Sequence, residues 1–125
     1  MSHYMKELPE NAKQVKNALC WATPSGELYG QETRMIPNRF TDMLTPHKHY
    51  GEYFKYQLNV NNRNGYIYGS IKYFDAKDST TFHKVTRRIH IVIAETFIPN
   101  PFNLPVVGHK NNIKTDNRVE NLYWT

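Results

Sequence analysis

The sequence predicts an α+β fold: a small antiparallel sheet with one helix, followed by a compact C-terminal motif. Three observations predict it. Residues 54–60 and 66–74 alternate apolar and polar side chains on either side of an Asn64-Gly65 corner, a dipeptide that tolerates the positive φ of a hairpin turn. From Ile89 the apolar spacing switches to the helical period. Pro99, which has no amide hydrogen to give, then ends that helix. With 125 residues the chain supports one domain, or one with a small appendage, but not two full cores.

The elements follow in order. Residues 1–16 are polar, and Pro9 is placed to start a short helix through Asn11–Val15. An apolar run from Ala18 to Trp21 meets the turn signal Pro24-Ser25-Gly26-Glu27 and resumes at Leu28-Tyr29-Gly30, which reads as a small hairpin with Cys20 and Trp21 in the core. Residues 37–52 hold Pro37, Pro46 and Gly51 without a clean period and read as a loop, with room for one short helix. Phe54–Val60, Tyr66–Phe74 and Phe82–Val85 form a three-stranded meander. Ile89, Val92, Ile93, Thr96 and Phe97 share one helical face. Val106-Val107 then form a strand, Lys110–Lys114 a polar corner, and Thr115 or Asp116 caps a last short helix. That helix would turn Val119 and Leu122 inward and pack, with Trp124, against the first one. The texture divides into 1–81 and 82–125, expected to form one compact unit.

Composition narrows the function. Cys20 has no partner, which excludes an internal disulfide framework and a Cys-rich zinc site. No run of 18 apolar residues exists and Met1–Glu10 lacks an apolar signal core, so the chain reads as soluble and cytoplasmic, with no membrane partner. A charge of +5 and a pI near 9.3 favour a polyanionic partner. There is no Gly-rich phosphate loop, Ser nucleophile elbow or Cys/His pair, and no small-molecule substrate is expected.

Six histidines are candidates for chemistry. His47 and His49, at strand spacing, could point one way and hold a metal, although two solvated loop histidines are the commoner arrangement. His83 is expected exposed beside Lys84, and His90 reads as a packed or capping side chain.

The informative segment is Arg87-Arg88-Ile89-His90-Ile91-Val92-Ile93-Ala94-Glu95-Thr96-Phe97-Ile98-Pro99, then Val106-Val107-Gly108-His109-Lys110-Asn111-Asn112-Ile113-Lys114-Thr115-Asp116-Asn117-Arg118-Val119-Glu120-Asn121-Leu122-Tyr123-Trp124. It resembles the phage-type HNH homing endonucleases over roughly the last 40 residues. The shared features are a His-containing helix ending Ala-x-x-Phe-Ile-Pro, a strand ending in His, an Asn-rich corner, and Asn-Arg-Val-Glu-Asn-Leu-x-Trp. The resemblance implies a ββα-metal motif with His109 as the general base that deprotonates water, a role suited to an imidazole neutral near pH 7. It implies that Asn121 ties the corner together, and that magnesium or another divalent cation stabilises the scissile phosphate.

The sequence departs from that pattern at three points. Gly108 stands where the family commonly has a metal-ligating Asp or Asn. The third motif residue is expected about two helical turns past Asn121, beyond Thr125, so the metal ligands are unknown. The family's Asp-Gly-Asn corner is Asn111-Asn112-Ile113. Asp116 and Glu120 are nearby carboxylates, with helix capping the default role of Asp116.

Arg87, Arg88, Lys110, Lys114 and Arg118 are the expected phosphate contacts, within a stretch from 82 to 125 that carries six basic and three acidic side chains. Tyr56, Tyr66, Tyr68 and Tyr73 are candidates for stacking on DNA, or for ordinary cross-strand packing. The expected function is that of an HNH endonuclease-like DNA-binding protein with metal-dependent nicking. The alternative is a degenerate HNH-derived module, weak or inactive in catalysis, that holds nucleic acid or a protein partner. A structural or virion role is a third option, and the resemblance implies a phage or prophage setting.

Overall fold

The computed structural model describes residues 4–36, 47–75 and 81–125, with side chains except at 34–36 and 47–50. It is an α+β arrangement of small antiparallel sheets around one helix. The elements are β1 (Tyr4–Met5), β2 (Lys13–Gln14), β3 (Cys20–Ala22), β4 (Leu28–Ile36), β5 (His47–Lys55), β6 (Asn59–Val60), β7 (Ile67–Phe74), β8 (Phe82–Arg88), α1 (Ile89–Phe97), β9 (Val107–His109), a 3-10 turn (Val119–Asn121) and β10 (Leu122–Trp124). One sheet has the order β1-β5-β4-β3-β2, a second β6-β7-β8, and β9 pairs β10. The first two sheets are stitched together at residues 17–19: Leu19 N–H donates to Lys72 O at 2.8 Å, and Phe74 N–H donates to Asn17 O at 2.8 Å.

The helix sits at the centre. Ile89, Val92, Ile93 and Ala94 have no exposed surface, and they pack with Ile71 of β7, Ala18, Cys20 and Leu28 of the hairpin region, and Val107 and Leu122 of β9 and β10. Each such aliphatic side chain contributes roughly 1.5–3 kcal/mol by leaving water, so the C-terminal hairpin is held chiefly by this shared core. Thr96 is buried at no polar cost because its hydroxyl donates to Val92 O at 2.7 Å. Pro99 follows the helix end as expected, where Ile98 N–H closes the last turn on Ala94 O.

Several expected elements differ. Pro9–Ala12 forms a turn, Lys13–Gln14 pairs with Trp21 and Ala22 as a strand, and Val15 is buried, in place of a short helix. A helix of five residues fixes too many dihedrals for the bonds it gains, and the neighbouring strand offers those amides partners. The β3 alternation buries Cys20 and Ala22 and turns Trp21 to the half-buried face, edge-on to Tyr53 at 5.2 Å. Burial also pushes the Cys20 thiol up to about 12, so it is an inert core group.

Within 37–52, residues 47–52 belong to β5, and 37–46 lie outside the described residues. The first meander strand is divided, with Phe54 and Lys55 ending β5 in the larger sheet and only Asn59–Val60 pairing β7. The final short helix is a 3-10 turn and a strand: Leu122, Tyr123 and Trp124 pair with His109, Gly108 and Val107. Pairing with β9 satisfies these amides in one step, whereas three or four residues cannot sustain an α-helix. Asp116 therefore starts no helix: its carboxylate binds Arg118, the residue preceding the 3-10 turn, which provides no side-chain cap itself.

Candidate functional site

His109 closes β9 at the point where the chain turns into the Asn-rich corner. Its ring is 8% exposed, lies 4.8 Å from the ring of His90 on α1, and is 6.2 Å from Tyr66. Nε2 of His109 is 2.9 Å from Oδ1 of Asn117, itself buried. An amide oxygen only accepts, so Nε2 carries the proton and the lone pair rests on Nδ1. Nδ1 has no hydrogen-bond partner among the described residues, and none of their buried side-chain nitrogens or oxygens is left unpaired, so Nδ1 meets solvent. The imidazole is thereby fixed in one tautomer with its basic nitrogen outward.

Asn117 was not among the residues singled out from the sequence. The turn of the first hairpin holds it. Pro24 O accepts from Val119 N–H at 2.8 Å, and Gly26, at φ +94°, lies so close that a Cβ there would meet Asn117 O at 2.9 Å. Only the Asn-Arg of the motif, eight residues past His109, hinted at it in sequence.

Asn121 ties the corner. Its Oδ1 accepts from Asn111 N–H at 3.2 Å, and its Nδ2 donates to Asn111 Oδ1 and Asp116 O, each at 2.9 Å. Its backbone carbonyl accepts from Lys110 N–H at 2.8 Å. Asn112 takes the left-handed conformation, φ 61°, that the corner requires, which Asn tolerates at small cost.

The five expected phosphate contacts fall into two groups. Arg87 forms a double hydrogen bond to Glu95 at 2.6 and 3.1 Å and donates to Tyr73 Oη. Arg118 grips both oxygens of Asp116, at 2.7 and 2.8 Å, and reaches Glu120 at 2.8 Å. These two guanidinium groups are neutralised within the fold. Arg88, Lys110 and Lys114 have no carboxylate partner among the described residues.

Arg88 and Lys114 share a platform. The Arg88 guanidinium lies 4.6 Å and the Lys114 ammonium 4.8 Å from the Tyr66 ring centroid, while His90 stacks on that ring at 5.0 Å and 15°. Arg88 Nε donates to Tyr68 Oη at 3.1 Å, and Lys114 Nζ donates to Asn64 O at 2.8 Å. Burial, then the neighbouring His109 and Arg88, push His90 down to about 4, so it is uncharged at neutral pH. The other tyrosines serve packing: Tyr56 stacks with Phe54 at 5.5 Å and Tyr73 with His83 at 6.0 Å.

Among the described residues, the carboxylates and histidines do not gather as a ligand set for a divalent cation. No group of three His, Cys, Asp or Glu side chains among the described residues could hold a metal ion. Asp116 is bound by Arg118 and by Asn111 Nδ2 at 2.8 Å, and the Arg118 guanidinium holds its carboxyl well below the usual carboxylate range. Gly108 is covered: a Cβ there would lie 2.5 Å from Cζ and 2.7 Å from Oη of Tyr123, its cross-strand partner. A hard cation needs several oxygen ligands, and this set does not fit one. His47 and His49 sit in β5, not in a loop, and their side chains lie outside the described residues. His83, half-exposed, pairs with Asp75 at 2.6 Å.

No protein-family model matches the chain. Among curated proteins, one uncharacterized HNH endonuclease of Acanthamoeba polyphaga mimivirus is 41% identical over 71 residues, covering 54% of this chain and 16% of that protein. A second from the same virus is 27% identical over 113 residues, covering 90% of this chain and 28% of that protein. Among solved structures, the HNH homing endonuclease I-HmuI, described for its DNA binding and cleavage, matches with a TM-score of 0.56 at 20% identity, over 91% of this chain and 51% of that one. The fold is thus that of an HNH homing endonuclease. The two viral relatives carry the same likeness in sequence, and the chain spans about half or less of the length of each protein it matches.

Proposed function

We propose that the chain is a DNA-binding HNH module that sets the face around His109 against the DNA backbone. One observation carries this reading: the His109 ring lies 6.2 Å from Tyr66, the ring that gathers two cations, Arg88 and Lys114, that no carboxylate of the described residues neutralises. Such groups contact phosphates rather than base edges, so binding should be general in sequence and strongly salt-dependent. The likeness to HNH endonucleases and the +5 charge support the same partner.

A second reading, nicking of DNA with His109 as general base, is favoured by the fixed tautomer. Its Nδ1 would take a proton from water as the oxygen attacks phosphorus. Developing charge on the leaving oxygen would then need stabilisation that the carboxylates present do not arrange. Supercoiled-plasmid nicking separates the two readings. With magnesium or manganese, the wild type is expected to bind the plasmid yet nick it no faster than His109→Ala. Metal-dependent nicking that vanishes in His109→Ala would establish the second reading, and absence of binding at low salt would sink both.

A further inference from the structure

Arg88 and Lys114 are an expensive pair. Two like charges lie over one aromatic ring, with a histidine stacked on that ring and no carboxylate beside either charge among the described residues. Arg87 and Arg118, by contrast, are each neutralised by carboxylates. The two side chains are also held in place. Tyr68 Oη accepts from Arg88 and from Asn64 Nδ2 at 2.7 Å, and Asn64 O accepts from Lys114, so a single turn residue fixes both arms. Each arm keeps donors to spare. Among the described residues, Arg88 is hydrogen-bonded through Nε and not through its two terminal nitrogens, and Lys114 uses one of its three hydrogens.

We propose that Arg88 and Lys114, braced across Tyr66, form a phosphodiester clamp beside His109. It would hold a backbone phosphate by direct charge-assisted hydrogen bonds, in place of a divalent cation. Tyr66 draws each cation toward its ring, and an entering phosphate would supply the negative charge that both lack. The planar guanidinium can take two phosphate oxygens while the ammonium takes a third, and the clamp needs no metal to do so. This inference rests on the DNA-binding reading and names the residues and the charge source that serve it.

The test is the salt dependence of affinity for a short fluorescent DNA duplex, followed by anisotropy in EDTA and in magnesium at matched ionic strength. Arg88→Gln and Lys114→Gln are compared with Arg87→Gln and Arg118→Gln, each of which removes the same formal charge. The clamp predicts that each of the first two lowers the salt slope by about one and weakens binding about fivefold at physiological salt. The comparison variants should leave the slope unchanged, and wild-type affinity should be equal with EDTA and magnesium. Circular dichroism and thermal melting establish that each variant folds, and Tyr66→Leu, which keeps apolar bulk but removes the platform, should reproduce the loss. Equal effects of all four cation variants, or binding that requires magnesium, would overturn the clamp while leaving the DNA-binding reading intact. A wild type that binds no duplex at low salt would overturn both.

Discussion

Nε2 of His109 donates to Oδ1 of Asn117 at 2.9 Å, and this bond between two buried side chains leaves Nδ1 as the only basic position of the imidazole. Asn117→Ala should remove that constraint. Nitrogen-15 NMR of the wild type is expected to show His109 as the Nε2–H tautomer at neutral pH, and the variant as a mixture. An unchanged tautomer would mean that Asn117 does not set it.

Gly108 and Tyr123 should behave as a coupled pair. Gly108→Ala places a Cβ against the phenol ring, but the obstacle is a side chain 41% exposed and not backbone, so a cost of about 1 kcal/mol is expected. In a Tyr123→Ala background the same change should be close to neutral. Urea denaturation of the two singles and the double gives the coupling, and strictly additive effects would argue against the contact.

Asn121 acts on stability first. Asn121→Ala deletes three hydrogen bonds that join the strand, the corner and Asp116, and leaves Asn111 N–H without its acceptor. A loss of about 2 kcal/mol is expected. A thermal melt unchanged within a degree would mean that the corner holds without it.

His90 makes stability depend on pH. Its folded value, about 4, lies below the 6.5 of an unperturbed imidazole. Between those two values the unfolded chain binds a proton that the folded chain refuses. The stability contributed is therefore complete above pH 6.5 and falls as the pH drops toward 4, by roughly 3 kcal/mol in all. His90→Gln should flatten this part of the profile, measured by denaturant titration at pH 4.5 and 7. Parallel profiles for the two proteins would contradict the assignment.

Much of the fold could be read because its strongest signals are local. The alternation of 66–74, the helical spacing of 89–97 and Pro99 each act within a few residues of where they lie. Partners distant in sequence decided what could not be read. Lys13–Gln14 is a strand because Trp21 and Ala22 lie beside it, and Leu122–Trp124 is one because β9 does. At the site, His109 and Asn121 were legible through the resemblance. Asn117 was not, since its place depends on Pro24 and Gly26, more than ninety residues earlier in the chain. Nor could the five cations be sorted, because pairing of Arg87 with Glu95 and of Arg118 with Asp116 is a property of the fold, while charge counting treats all five alike.

The central claim is that DNA lies against the face around His109, Arg88 and Lys114. NMR titration of the labelled chain with a short duplex in EDTA tests it most directly. The account predicts shift changes centred on Tyr66, Arg88 and the corner from His109 to Lys114, fading as salt is raised, with the Arg87–Glu95 pair little affected. Changes confined to other surfaces, or none at low salt, would contradict it.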